Sequence, residues 1–176
     1  EFTQLNSTAR NHIGALTVSS ATLVANWDPN ITGTTVNALA ATSAAVYAGG
    51  VFTTVGATAR TNFVALSTDA PAVLGGLDVN PNGPVYSLLL ANNLLYIGGD
   101  FTTVGAAPPI NRDHFAAYGA LTTAPALEVG TDYIVNFDLA VRALSPGPNG
   151  VIYAGGDFSA LGAFASGFAA IVPGQP

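Results

Sequence analysis

Leu94-Leu95-Tyr96-Ile97-Gly98-Gly99-Asp100-Phe101-Thr102-Thr103-Val104-Gly105 decides the fold, because near-copies of it stand elsewhere in the same 176 residues. Ala45-Val46-Tyr47-Ala48-Gly49-Gly50-Val51-Phe52-Thr53-Thr54-Val55-Gly56 precedes it. Val151-Ile152-Tyr153-Ala154-Gly155-Gly156-Asp157-Phe158-Ser159-Ala160-Leu161-Gly162 follows, and Glu1-Phe2-Thr3-Gln4-Leu5-Asn6 matches the second half alone. Phe2, Phe52, Phe101 and Phe158 lie 50, 49 and 57 residues apart. A period in that range belongs to propeller blades or solenoid turns. Leu94 to Ile97 is apolar and rich in β-forming side chains and reads as a strand. The paired glycines end it, either by taking positive φ or by admitting a neighbour where a Cβ would clash. Phe101 and Val104 read as apolar plugs folded back over the strand, each phenylalanine contributing roughly 1.5–3 kcal/mol if fully buried. An acidic residue precedes three of the four phenylalanines (Glu1, Asp100, Asp157), where a tight turn exposes backbone N–H groups; Val51 breaks the pattern, so no charge is obligatory there.

Each copy leads into a loop and a further strand: Arg10-Asn11-His12-Ile13-Gly14-Ala15-Leu16, Arg60-Thr61-Asn62-Phe63-Val64-Ala65-Leu66 and Arg112-Asp113-His114-Phe115-Ala116-Ala117-Tyr118. A fourth, Ala165-Ser166-Gly167-Phe168-Ala169-Ala170-Ile171, lacks the arginine, and Pro108-Pro109-Ile110 is a loop insertion in the third. A weaker strand then ends in Trp27-Asp28, Leu77-Asp78 or Phe137-Asp138, and turn residues carry the chain into Val36-Asn37-Ala38-Leu39-Ala40, Val85-Tyr86-Ser87-Leu88-Leu89 or Val141-Arg142-Ala143-Leu144. Short turns return each of these as a hairpin to the Tyr-x-Gly-Gly strand. The expected fold is therefore all-β, with four short antiparallel strands per unit, about thirteen in all and no helical pattern, which is the content of β-propeller blades. The expected units are 1–35, 36–84, 85–140 and 141–176, the first and last partial, forming one domain or a fragment of one. About three and a half repeats fall short of the four to eight blades of a closed ring. The chain opens within a repeat and carries no initiator Met, which predicts a piece of something longer.

The Leu-Tyr-x-Gly-Gly-Asp-Phe-Thr-x-Val-Gly core, followed by the arginine loop, an Ala-Ala-Leu-like strand and a Trp-Asp or Phe-Asp end, resembles the delta-sixty-type β-propeller repeats of large bacterial secreted and surface proteins. It is also similar to the kelch-like repeats of fungal cortical-marker proteins. The resemblance covers nearly the whole chain and implies propeller architecture, extracellular or cell-surface placement and an interaction role, with no shared catalytic motif. Val51 in place of Asp and Ala165 in place of Arg depart from the pattern and interrupt any ion pair repeated in every blade.

Composition narrows the function classes. Charged residues make up 8%, with four arginines and no lysine against ten acidic residues, so the surface does not suit phosphate neutralisation of nucleic acid. Ile31 to Ala59 is uncharged, yet Gly, Thr, Asn and Ser interrupt it before about 18 continuous apolar residues accumulate, and no membrane span is expected. The absence of cysteine excludes disulfides, thiolate nucleophiles and zinc–thiolate sites. The acidic, lysine-free, Thr/Ser/Asn/Gly-rich composition fits an extracellular or surface protein.

Residues in register around the repeats are the candidates for function. Arg10, Arg60 and Arg112 share one position; His12, Asn62 and His114 share another, with Gly167 fourth. They read either as a polar level for sugar hydroxyls or a partner, or as groups that bond loop carbonyls, pair with a carboxylate and cap strand ends. Asp28, Asp78 and Asp138 form a further set that caps turns or, with Glu1, Asp100 and Asp157, contributes to Ca²⁺ sites. No Asp-x-Asp-x-Asp-Gly loop, Gly-x-Ser-x-Gly elbow or Walker-type loop occurs. Glu1 and Glu128 are the only glutamates, and Trp27, the only tryptophan, cannot form a repeated stacking platform. No catalytic residue, cofactor or resident metal is expected. The leading expectation is a non-catalytic structural or interaction module, completed by further blades of a longer chain or by self-assembly; a glycan-binding propeller and the scaffold of a larger extracellular enzyme are the alternatives.

Overall fold

The computed structural model describes residues 1–105, 107–119, 135–159 and 167–172. Described residues form an all-β architecture of antiparallel sheets, none of them closed. Three three-stranded meanders carry it: β3 (Ile31–Ala41), β4 (Ala45–Val55) and β6 (Phe63–Ser67); β7 (Val85–Ala91), β8 (Leu94–Gly99) and β11 (Phe115–Gly119); and β12 (Val141–Pro146), β13 (Ile152–Gly156) and β14 (Phe168–Ile171). In each the Tyr-x-Gly-Gly strand is central. Registers coincide: Tyr47 lies opposite Ala65, Tyr96 opposite Ala117 and Tyr153 opposite Ala170. The sheets pack in sequence order, with β7 between β3 and β12.

The paired glycines follow from that packing. An added Cβ at Gly50, Gly99 or Gly156 would lie 2.1, 2.2 or 2.1 Å from the carbonyl oxygen of Thr35 on the neighbouring strand, or of Pro84 or Ala140 just before it. Opposite each pair the partner strand bulges, between Val36 and Ala38, Val85 and Ser87, and Val141 and Ala143. The first glycine faces the next sheet instead. A Cβ at Gly49 would lie 2.3 Å from Val85 Cγ1, and one at Gly98 2.7 Å from Val141 Cγ1. None of these glycines has positive φ, so close approach is the reason for glycine here. The pairs also end β8 and β13, whereas β4 runs through Gly49 and Gly50 to Val55; Val51, where the other copies have Asp, pairs with Thr35 and continues the ladder.

Apolar faces close the gaps between sheets. Tyr47, Phe63, Leu77, Val79, Val85, Leu95 and Ile97 are buried between the first and second meanders, and Tyr96, Phe115, Phe137, Val141, Ile152 and Phe158 between the second and third. Phe52, Phe101 and Phe158 are each 1% exposed, as their reading as plugs requires. The segments after Phe52 and Phe101 pair with themselves as two-residue ladders: Thr54–Val55 with β5 (Thr58–Ala59), and β9 (Thr103–Val104) with β10 (Ile110–Asn111). The same ladder joins β1 (Gln4–Leu5) to β2 (Thr8–Ala9). In the first and second units the fourth strand contracts to a single bridge, Leu16 to Leu23 and Leu66 to Val73; its place in the third unit lies outside the described residues. Among the described residues no helix is long and apolar enough to cross a membrane.

Candidate functional site

The loop after each ladder must turn sharply into the outer strand, and His12, Asn62 and His114 sit at that turn with φ of 65°, 61° and 67°. Gly167, fourth in the series, has φ of 69°. Left-handed backbone favours Gly, and among the other residues Asn, Asp and His, which matches the His, Asn and Gly found here. At each turn the backbone N–H of the series residue donates to the carbonyl of the plug phenylalanine: His12 to Phe2, Asn62 to Phe52, His114 to Phe101 and Gly167 to Phe158. Asn62 adds side-chain bonds, its Oδ1 accepting from Phe52 N at 3.3 Å and its Nδ2 donating to Pro81 O at 3.2 Å. His114 Nδ1 lies 3.5 Å from Asp100 Oδ1.

The arginines two residues earlier repeat one contact. Nη1 of Arg10, Arg60 and Arg112 donates to the carbonyl of the preceding residue at 2.8, 3.0 and 2.8 Å. Arg10 also donates to Ala25 O at 2.8 Å and pairs with Asp28 at 3.1 Å, while Arg60 stands 3.9 Å from Asp78. Two sets that are separate in the sequence, the arginines and the Trp-Asp or Leu-Asp ends, thus meet within one unit. Arg10 and Arg112 are buried. Ala165, where the arginine is lacking, lies outside the described residues, as does Glu128. Asp100 and Asp157, read as turn acceptors, face side chains: Asp157 takes both Nε and Nη2 of Arg142, which lies over the Tyr86 ring at 4.7 Å. That guanidinium holds the Asp157 carboxyl below the ordinary carboxylate range. Burial pushes the Tyr118 phenol up, against a smaller opposing pull from Arg112. No three His, Asp or Glu side chains converge among the described residues as a metal site would require.

Two further features lie in the first and last units. First, an apolar cavity of about 280 Å³ opens between Ile13 and Ala15 on one side and Leu39 and Val46 on the other, with Trp27 at its end. Trp27 is anchored by its indole N–H, which donates to Ser67 O at 3.0 Å. Each wall has a counterpart in the other units. Phe63, Ala65, Leu77 and Leu95, with Leu88, share a core cluster with Tyr47; Phe115, Ala117, Phe137 and Ile152, with Leu144, share one with Tyr96. The cavity lining thus corresponds, position by position, to residues that cluster with a tyrosine in the other units.

Second, the last meander presents an aromatic face. Tyr153 stacks on Phe168 at 5.6 Å and 20°, as Tyr47 stacks on Phe63 at 6.3 Å and 22° and Tyr96 on Phe115 at 6.0 Å and 28°. Phe63 and Phe115 are each 1% exposed, but Phe168 is 62% exposed. A Cβ at Gly155 would meet nothing nearer than Gly167 O at 3.7 Å, where Gly49 and Gly98 receive a valine. The corresponding valine at the other end of the stack, Val36, is half-buried, whereas Val85 and Val141 are fully buried.

Comparison with protein-family models and with curated proteins returns no match.

Proposed function

We propose that the chain is a non-catalytic structural and interaction module of a secreted or cell-surface protein, built of β-propeller blades whose stack is completed by further blades, including those of identical chains. One observation carries the reading: three sheets repeat one register, and the two joints between them repeat one glycine-to-valine contact, a packing that further blades can continue. The shared register and the in-order packing, with β7 contacting both β3 and β12, support propeller blades over a sandwich, which has no reason to repeat its sequence. The polar series supports a structural role. Arg10, Asn62 and Arg112 are buried and spend hydrogen bonds on backbone carbonyls or N–H groups of their own and adjoining turns, leaving few donors for a sugar. Repetition of the Leu-Tyr-x-Gly-Gly-Asp-Phe core supports kinship with the delta-sixty-type repeats and, through it, surface placement.

Electron microscopy of the purified chain at high concentration tests this. Rings or filaments many chains in size are expected; a field with nothing larger than a single chain refutes completion by identical chains. A glycan array without signal is expected alongside, and binding lost on substituting His12 or His114 would favour the lectin alternative.

A further inference from the structure

Two of the asparagines are followed by glycine, Asn82-Gly83 and Asn149-Gly150, and the fold holds them differently. A glycine leaves its backbone nitrogen uncrowded, so that nitrogen can reach the side chain of the asparagine before it; at every other asparagine a residue with a side chain follows, and at Asn80 it is a proline without an N–H. Asn82 is tied down. Its Oδ1 accepts from Thr102 N at 2.8 Å and from Thr103 N at 3.0 Å, its Nδ2 donates to Thr102 Oγ1 at 2.9 Å, and Gly83 is buried against the Asp100 carbonyl. Asn149 is exposed in the β12–β13 turn with φ of 55° and ψ of 31°, and its side chain makes no hydrogen bond among the described residues. The turn is closed by Gly147 N to Val151 O at 2.7 Å and Val151 N to Pro148 O at 3.1 Å, and the Gly150 N–H takes part in neither bond. A Cβ on Gly150 would meet nothing nearer than Asn92 Nδ2 at 3.6 Å, so the backbone here is uncrowded.

We propose that Asn149 is a site of spontaneous modification, converting to aspartate and to its β-linked isomer while Asn82 keeps its amide. The Gly150 nitrogen bonds to Asn149 Cγ, its proton leaves with the side-chain amide as ammonia, and water then opens the five-membered imide at either carbonyl. The attack requires rotation about the Asn149 Cα–C bond, which the two bonds of the turn and one contact with the neighbouring sheet oppose. At Asn82 the attack must instead break three side-chain bonds and move a buried glycine. The consequence falls on one turn. Asn92, in the turn of the second meander, donates from Nδ2 to Gly150 O at 3.1 Å. The β-linked product lengthens the backbone by a methylene just before Gly150, and either product adds a negative charge to a chain already at −6. Conversion of Asn149 thus loosens the turn that meets Asn92 and marks the age of the chain.

Peptide mass mapping of the whole chain, aged in warm neutral buffer and in parallel in concentrated guanidinium chloride, tests the assignment. In the folded chain Asn149 is expected to convert at least about tenfold faster than Asn82, a difference that the bonds holding Asn82 suffice to impose. In denaturant those bonds are gone, and the two asparagine–glycine steps are expected to convert at similar rates. Fragmentation that separates the two linkages is expected to find both products at position 149. The converted fraction, isolated by its added charge on an anion exchanger, is expected to exchange the amide hydrogens of Gly147 and Val151 faster than the fresh chain does. An Asn149 that keeps its amide in the folded chain, or an Asn82 that converts there as fast, would overturn the assignment. Equal exchange in the two fractions would overturn the loosening of the turn.

Discussion

Glycine-to-alanine substitution separates positions that look identical in the sequence. Gly98 and Gly155 are each the first of a Gly-Gly pair in a central strand, each opposite the outer-strand phenylalanine. At Gly98 the new methyl would lie 2.7 Å from Val141 Cγ1 and 3.3 Å from both Val141 Cβ and Val141 O, inside the core between two sheets. Overpacking of that kind costs about 1–3 kcal/mol. Alanine returns roughly 0.5–1 kcal/mol by restricting the unfolded chain, so the net loss is about 0–2.5 kcal/mol, centred near 1 kcal/mol. For a chain of this length each kcal/mol moves Tm by about 2–4 °C, which places Gly98→Ala up to about 10 °C below the wild type, with a fall of about 2–4 °C at the centre of the range. At Gly155 the nearest atom is 3.7 Å away, an ordinary contact, so only the gain remains and Tm is expected to hold or rise by about 1–4 °C. Gly156→Ala, whose methyl would sit 2.1 Å from the Ala140 carbonyl oxygen, is expected to fall at least as far as Gly98→Ala. Thermal unfolding followed by circular dichroism in dilute solution, where chains are dissociated, provides the comparison. Equal losses at Gly98 and Gly155 would refute the steric account of the repeat.

Phe137, 2% exposed and packed on Phe115 and Phe158 at 6.0 and 4.6 Å, is expected to cost about 3–5 kcal/mol when replaced by alanine, measured by denaturant unfolding. Asn62→Ala should lose roughly 2–3 kcal/mol, from two buried hydrogen bonds and a left-handed backbone. Asn62→His, matching His12 and His114, should lose distinctly less; equal losses would show that the turn does not select the residue. The Asp157 carboxyl, held low by its hydrogen bonds to Arg142, contributes to stability above its unfolded pKa, and the contribution disappears as pH falls through its folded value. In Arg142→Gln its titration midpoint, followed by carboxyl carbon NMR, should rise to the ordinary value of about 3.9, and a midpoint unmoved by the substitution would remove the pair as its cause.

Much of this architecture is legible in the sequence because the repeat is read several times. The strand at Leu94, its central place in the sheet and the plugs at Phe52, Phe101 and Phe158 all follow from hydrophobic pattern and recurrence. The arginine–carboxylate contact was foreshadowed as one use for Arg10 and Arg60, but nothing in spacing alone brings position 10 to position 28. In the first two units four strands overstate the ladder. Val73 and Leu23 satisfy only single bridges, since the residues around them alternate too briefly to hold register. The two-residue ladders at Gln4, Thr58 and Thr103 were invisible for the opposite reason, being too short for any period to show. Choosing between positive φ and close approach at the paired glycines needs the neighbouring sheet, which sequence does not place. The cavity beside Trp27 is harder still, because its walls come from two successive units; aligning Ile13, Trp27, Leu39 and Val46 with the residues that share a cluster with Tyr47 is the signal that finds it.

The measurement that bears most directly on the account is the absolute mass of the purified particle, by light scattering over a concentration series. A defined multiple of 17.6 kDa, or a polymer whose mass grows with concentration, is the predicted result. A mass of 17.6 kDa that does not change from dilute to concentrated solution would contradict it.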